Sequence, residues 1–99
     1  MRRLRAYADE LSELPEVREI VLIGSLARGD WSARSDADVV IVVDSSDEPG
    51  PFRGPRYAPH TRMGIAVDVL VFTPEETTQW GPRFRQEVER GIPLHPPPA

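Results

Sequence analysis

The run Ala37-Asp38-Val39-Val40-Ile41-Val42-Val43 is apolar at every position but one, so a strand built from it hides both faces from water. Such a strand belongs in the middle of a sheet, with other elements packed front and back. Val17 to Ile23 is β-branched and increasingly apolar, which predicts a first strand. Ile65 to Phe72, Ile-Ala-Val-Asp-Val-Leu-Val-Phe, predicts a third, interrupted only by Asp68. The remaining segments supply helices. Leu4, Tyr7, Ala8, Leu11 and Leu14 recur at helical spacing over residues 2–14, and Pro15 ends that stripe. Thr73-Pro74-Glu75-Glu76 is a helix start, with a capping residue, a proline at the first helical position and a capping-box glutamate. Gly81-Pro82 predicts a kink or restart. Trp80, Phe84 and Val88 form the expected buried stripe, and Gly91 the expected helix closure. Ile92-Pro93-Leu94 is a candidate short edge strand, followed by a proline-rich tail over residues 95–99. The expected class is therefore α/β (α+β), a small mixed sheet of three to four strands with helices on it.

Ninety-nine residues make one domain, read as 1–99 with its core over residues 17–94. The connection over residues 44–64 holds Pro49, Gly50, Pro51, Gly54, Pro55 and Pro59, which argues against a helix through it. No apolar run approaches the roughly 20 residues that span a bilayer. Cysteine is absent, which removes disulfides and thiolate metal sites and fits a cytoplasmic setting. The net charge of −4 disfavours general coating of nucleic acid. All twelve basic residues are arginines, so lysine nucleophiles and the P-loop lysine are excluded. Any positive group that meets phosphate must be an arginine, a backbone amide or a metal.

The chemistry concentrates between the first two strands. Gly24-Ser25 follows the first strand and leads into a short helix or helical turn over Leu26 to Trp31. Glycine admits a close approach of backbone to ligand, a serine hydroxyl can donate, and the amides at a helix start favour anions. After ten intervening residues come Asp36 and Asp38, two apart on a strand and so on one face. Paired carboxylates repel unless a cation lies between them, and their oxygens suit hard ions such as Mg2+ or Mn2+. Asp68 is a third carboxylate. If its strand lies beside the second in register, Asp68, Leu70 and Phe72 share a face with Asp36, Asp38 and Val40. Taken singly, an Asp-x-Asp is a common solvated strand end and Gly-Ser a common turn. Their spacing, together with Asp68 inside an apolar strand, points to a metal and phosphate site.

Gly24-Ser25, ten residues, then Asp36-Ala37-Asp38 resembles the signature of the DNA polymerase β-type nucleotidyltransferase superfamily. The Gly-Ser-x-Ala-Arg-Gly form at 24–29, Ser35-Asp36-x-Asp38, Val67-Asp68-Val69 and the Thr-Pro-Glu-Glu helix start resemble more closely the minimal nucleotidyltransferases (MNT), small proteins often paired with HEPN-domain partners. The resemblance spans about residues 17–94 and implies a nucleotidyltransferase fold. It implies two Mg2+ ions (or Mn2+) held by Asp36, Asp38 and Asp68, and ATP bound through Gly24, Ser25, Arg28 and Ser35. Arg34 is an alternative to Arg28 for phosphate charge. The implied reaction transfers AMP to a hydroxyl acceptor, a tyrosine of a HEPN-type toxin, so that the chain acts as an antitoxin. Many relatives carry a helix between the second and third strands, where this chain is rich in proline and glycine.

Two other readings stand beside this one. A binding antitoxin would neutralise its partner by contact alone, and would have no use for three converging carboxylates. Some relatives modify RNA ends or small molecules such as aminoglycosides, and the antibiotic-type enzymes usually need a second domain to hold the acceptor. Elsewhere the plain readings suffice. His60 and His95 read as solvated, and Arg53, Arg56 and Arg62 as solvated in preference to clamping phosphate or an acidic partner. Trp31 either stacks on a base or covers the core edge.

Overall fold

The computed structural model describes residues 2–29, 37–48, 53–59 and 64–96. Its elements are α1 (Arg2–Ser12), β1 (Val17–Ile23), β2 (Ala37–Val43), α2 (Gly54–Tyr57), β3 (Val67–Phe72), α3 (Pro74–Thr77), α4 (Pro82–Glu89) and β4 (Ile92–His95). The four strands form one sheet in the order β3-β2-β1-β4. β1 runs antiparallel to both β2 and β4, while β2 and β3 are parallel. The fold is thus a mixed α/β sheet. β2, apolar on both faces, lies inside it, as its sequence predicts.

Strand alternation sorts the side chains onto two faces. One face carries Ile20 and Leu22 of β1 with Val39, Ile41 and Val43 of β2, packed beneath Leu4, Tyr7, Ala8 and Leu11 of α1 and Tyr57 of α2. Ile20, Leu22, Val39 and Ile41 are wholly buried. Each such side chain contributes about 2 kcal/mol relative to an exposed one. The opposite face is thinner. Val21, Ile23 and Val40 are buried there, under the partly buried Phe72, Trp80, Phe84 and Val88. The expected stripe is therefore a partial cover, and Trp80 belongs to the break before α4 while Phe84 and Val88 lie on it. The aromatic rings meet edge to face, with centroids 5.2 Å apart for Phe72–Trp80 and 5.1 Å for Trp80–Phe84.

Gly81-Pro82 acts as a restart: α3 stops at Thr77, and α4 begins at Pro82 with Gly81 extended before it. Gly91, the expected helix closure, follows the end of α4 at Glu89 and its cap at Arg90, and its φ is not positive. A Cβ there would lie 2.6 Å from the Leu22 carbonyl oxygen and 2.6 Å from Val21 Cγ1. Gly91 is small because α4 turns into β4 directly against β1. Gly91→Ala is expected to cost about 1–3 kcal/mol, as overpacking against backbone does. A melting temperature equal to that of the parent protein would refute that contact.

The connection after β2 departs from expectation twice. It forms the four-residue α2, started by Pro55 in its first turn, where a missing N–H costs nothing. Arg53, expected in solvent, is 7% exposed. Its Nε donates to the Glu48 carbonyl at 2.8 Å, and its guanidinium pairs with the Glu76 carboxylate and reaches the Val71 carbonyl. Glu76 also accepts the Thr73 amide at 2.8 Å, closing the capping box of α3. Those hydrogen bonds, Arg53's first and Thr73's second, hold the Glu76 carboxyl below its ordinary range. Arg53 against Val71, with Gly54 near the Val69 carbonyl, covers the outer edge of β3, which would otherwise invite another strand. Tyr57, held beneath α1, has its carbonyl bonded by the Tyr7 hydroxyl, and its own hydroxyl donates to Glu16 at 3.1 Å. The solvated readings of His60 and Arg62, and that of Trp31, fall outside the described residues.

Candidate active site

The thin face of the sheet ends in a cleft. Phe84 and Val88 of α4, with Trp80 and Phe72, pack on Val21, Ile23 and Val40, and the cleft lies between α4 and the N-terminal end of β2, where Asp38 stands beside Asp68 of β3. The parallel register sets Asp38 directly opposite Asp68, followed by Val40 opposite Leu70. Paired residues of neighbouring strands share a face, so both carboxylates lie on the α4 side. Asp68 is exposed and Asp38 half-buried. The geometry follows from sequence: strand period two puts Asp68, Leu70 and Phe72 on one face, and parallel pairing brings that face level with Asp38 and Val40.

The turn after β1 meets this pair from the side. Ile23 is the cross-strand partner of Asp38, so Gly24 emerges beside the carboxylate. Gly24 has φ +85°, the left-handed region, and a Cβ on it would lie 2.6 Å from Asp38 Oδ2. Glycine is required here for both backbone and space. Residues after it form a helical turn, with the Arg28 amide bonded to the Gly24 and Ser25 carbonyls at 3.2 and 3.1 Å and the Gly29 amide to Leu26 at 3.1 Å. This agrees with the helical turn expected after Gly-Ser.

The cleft has a volume of about 880 Å³. That is within the ~300–1,000 Å³ typical of small-molecule sites. One wall is Gly24, Ser25, Arg28 and Asp38; the other is Leu70 with Gly81, Pro82, Arg83, Phe84 and Glu87 of the α4 end. A polar wall able to meet charged oxygens thus faces a mixed one, on which Leu70, Pro82 and Phe84 are apolar and Arg83 and Glu87 charged. Among the described residues Leu70 is the large hydrophobic side chain left exposed, at 37%. Arg28 Nη1 meets Glu87 Oε1 across the cleft at 3.3 Å.

Of the residues singled out in the sequence, Gly24, Ser25, Arg28 and Asp38 come together in the cleft, and Asp68 flanks it beside Asp38. Ser35, Asp36 and Arg34 lie outside the described residues. Among the described residues no three acidic or histidine side chains converge to hold a metal ion. The two described carboxylates do fit a hard divalent cation: they are adjacent oxygen donors on one face, with backbone held close by a glycine. The α4 residues Arg83 and Glu87 were not anticipated. The Gly81-Pro82 break, which aims the start of α4 at the site, is the signal that could have found them. Among the described residues no helix is long and apolar enough to cross a membrane.

The model of one protein family, the nucleotidyltransferase domain, matches residues 4–94. Among solved structures, the chain is similar to a "putative nucleotidyltransferase" from Sulfolobus solfataricus, with 23% identity and a TM-score of 0.59. The match covers 91% of this chain and 74% of that one, and it is a likeness of fold. No curated protein matches the chain.

Proposed function

The chain belongs to the nucleotidyltransferase domain family, and from that premise we propose that it transfers AMP from ATP to a tyrosine hydroxyl of a HEPN-type partner, acting as an antitoxin. The observation that carries the site assignment is the direct pairing of Asp38 with Asp68 beside the Gly24–Ser25 turn. Asp38 and Asp68, with Asp36, would hold divalent metal, Mg2+ or Mn2+. Such ions, when bound, neutralise phosphate charge and lower the pKa of the attacking hydroxyl. The chain's own groups do the positioning. Gly24 lets the turn approach the phosphates, the Ser25 hydroxyl donates to them, and the Arg28 guanidinium offers paired donors for phosphate oxygens. Ser35 belongs to the same phosphate-binding set by its place in the motif.

The acceptor oxygen attacks the α-phosphorus and gives its proton to water. The bond from that phosphorus to the bridging oxygen breaks, and pyrophosphate leaves. Leu70, two residues beyond Asp68, and Phe84 give the cleft an apolar wall next to the carboxylates. That wall suits a hydroxyl borne on an aromatic side chain better than one on a polar sugar. The Gly-Ser-x-Ala-Arg-Gly and Ser-Asp-x-Asp motifs support the HEPN type of partner. The setting this reading calls for is the cytoplasm.

The test is to incubate the purified chain with α-labelled ATP, Mg2+ and a HEPN-type protein. Covalent label on a tyrosine of the partner, lost when the metal is chelated, is the expected result. Neutralisation of the partner without any label would support contact alone, and label on RNA or a small molecule would redirect the acceptor.

A further inference from the structure

Arg28 is engaged across the cleft. Its Nη1 lies 3.3 Å from Glu87 Oε1, although 59 residues separate the two in sequence. Arg28 stands on the turn wall and Glu87 on the α4 wall, so their contact bridges the cleft. Both side chains are open to water, at 63% and 40%. An ion pair so exposed is weakly held and readily exchanged. A phosphate carries more charge than a carboxylate and accepts two parallel N–H bonds from a guanidinium.

We propose that Glu87 lowers nucleotide affinity by competing with phosphate for the Arg28 guanidinium, whose Nη1 it already engages. The idea rests on the phosphate-binding reading of the Gly24–Arg28 turn and adds a competing internal ligand to it. Glu87 is a positioning residue in this scheme: it acts through Arg28 and touches neither reacting atom. Because the competition is between charges in water, its effect grows as salt is lowered.

The test is calorimetric titration with Mg2+ and α,β-methylene-ATP, which binds but does not transfer. Glu87→Gln keeps the shape of the side chain and removes its charge. It is expected to tighten binding about twofold to fivefold at low ionic strength, and less at about 0.5 M salt. Arg28→Ala is expected to weaken binding, and adding Glu87→Gln to it should change nothing further. That non-additivity is the signature of action through Arg28. Equal tightening in both backgrounds would overturn the proposal in favour of plain repulsion from Glu87. Weaker binding in Glu87→Gln, or an unchanged Kd, would overturn it by showing that the pair does not compete with phosphate. If the parent chain binds no nucleoside triphosphate, the phosphate-site reading fails first and this inference with it. A null result for Glu87→Gln on a chain that does bind sinks this inference alone.

Discussion

Asp68→Asn is expected to lower nucleotidyl transfer by about a thousandfold and leave the melting temperature within a few degrees of the parent protein. The two halves of that result have separate causes. Asp68 is exposed on β3, so asparagine, of nearly the same shape, removes no packing. Surface changes of this kind usually stay within about 0.5 kcal/mol, or roughly 2–4 °C in a domain of this size. Transfer is another matter. In the proposed site Asp68 supplies a metal-binding carboxylate, and losing several kcal/mol of charge stabilisation at the transition state corresponds to about three orders of magnitude in rate. The melting curve gives an independent readout. Mg2+ with nucleotide should raise the melting temperature of the parent chain and do so less for the variant. Transfer retained at the parent rate would remove Asp68 from the site.

Much of this arrangement was legible in the chain, because it rests on short-range signals. Apolar residues on both faces of Ala37–Val43 call for a central strand, and β2 has neighbours on either side. The first strand begins and ends where its β-branched run does, while the third starts two residues later than its apolar pattern, at Val67. Thr73, Pro74 and Glu76 mark the start of α3 through capping chemistry confined to one turn. What failed to show depends on partners far along the chain. Arg53 looks like any loop arginine until β3 and α3 bring the Val71 carbonyl and Glu76 to it. Glu87 and Arg83 look like the wet side of a helix, and become cleft residues only because the sheet's thin face is left uncovered beside them. Gly91 reads as a helix-ending glycine, yet its reason is the collision that a Cβ would make with β1. Short α2 was missed because proline counts against a helix interior but not against its first turn.

Gly24→Ala is expected to damage both stability and transfer, and comparison with Gly29→Ala separates the two effects. Both glycines are left-handed, at φ +85° and +92°. An alanine at either site therefore pays a backbone strain of about 1–2 kcal/mol. Around Gly29 a Cβ would meet nothing within 4 Å, whereas at Gly24 it would press on Asp38 Oδ2 at 2.6 Å. Relief requires that the turn or the carboxylate move, and both belong to the proposed site. Displacing a reacting group by about 1 Å commonly costs about a hundredfold in rate. Gly29→Ala should thus show the strain chiefly as a lower melting temperature. Gly24→Ala should show a similar or larger fall in melting temperature together with a loss of transfer of about a hundredfold or more. Equal transfer by the two variants would mean that the approach of Gly24 to Asp38 is a requirement of folding alone. A selective loss at Gly24 would tie the turn and the aspartate into a single functional unit.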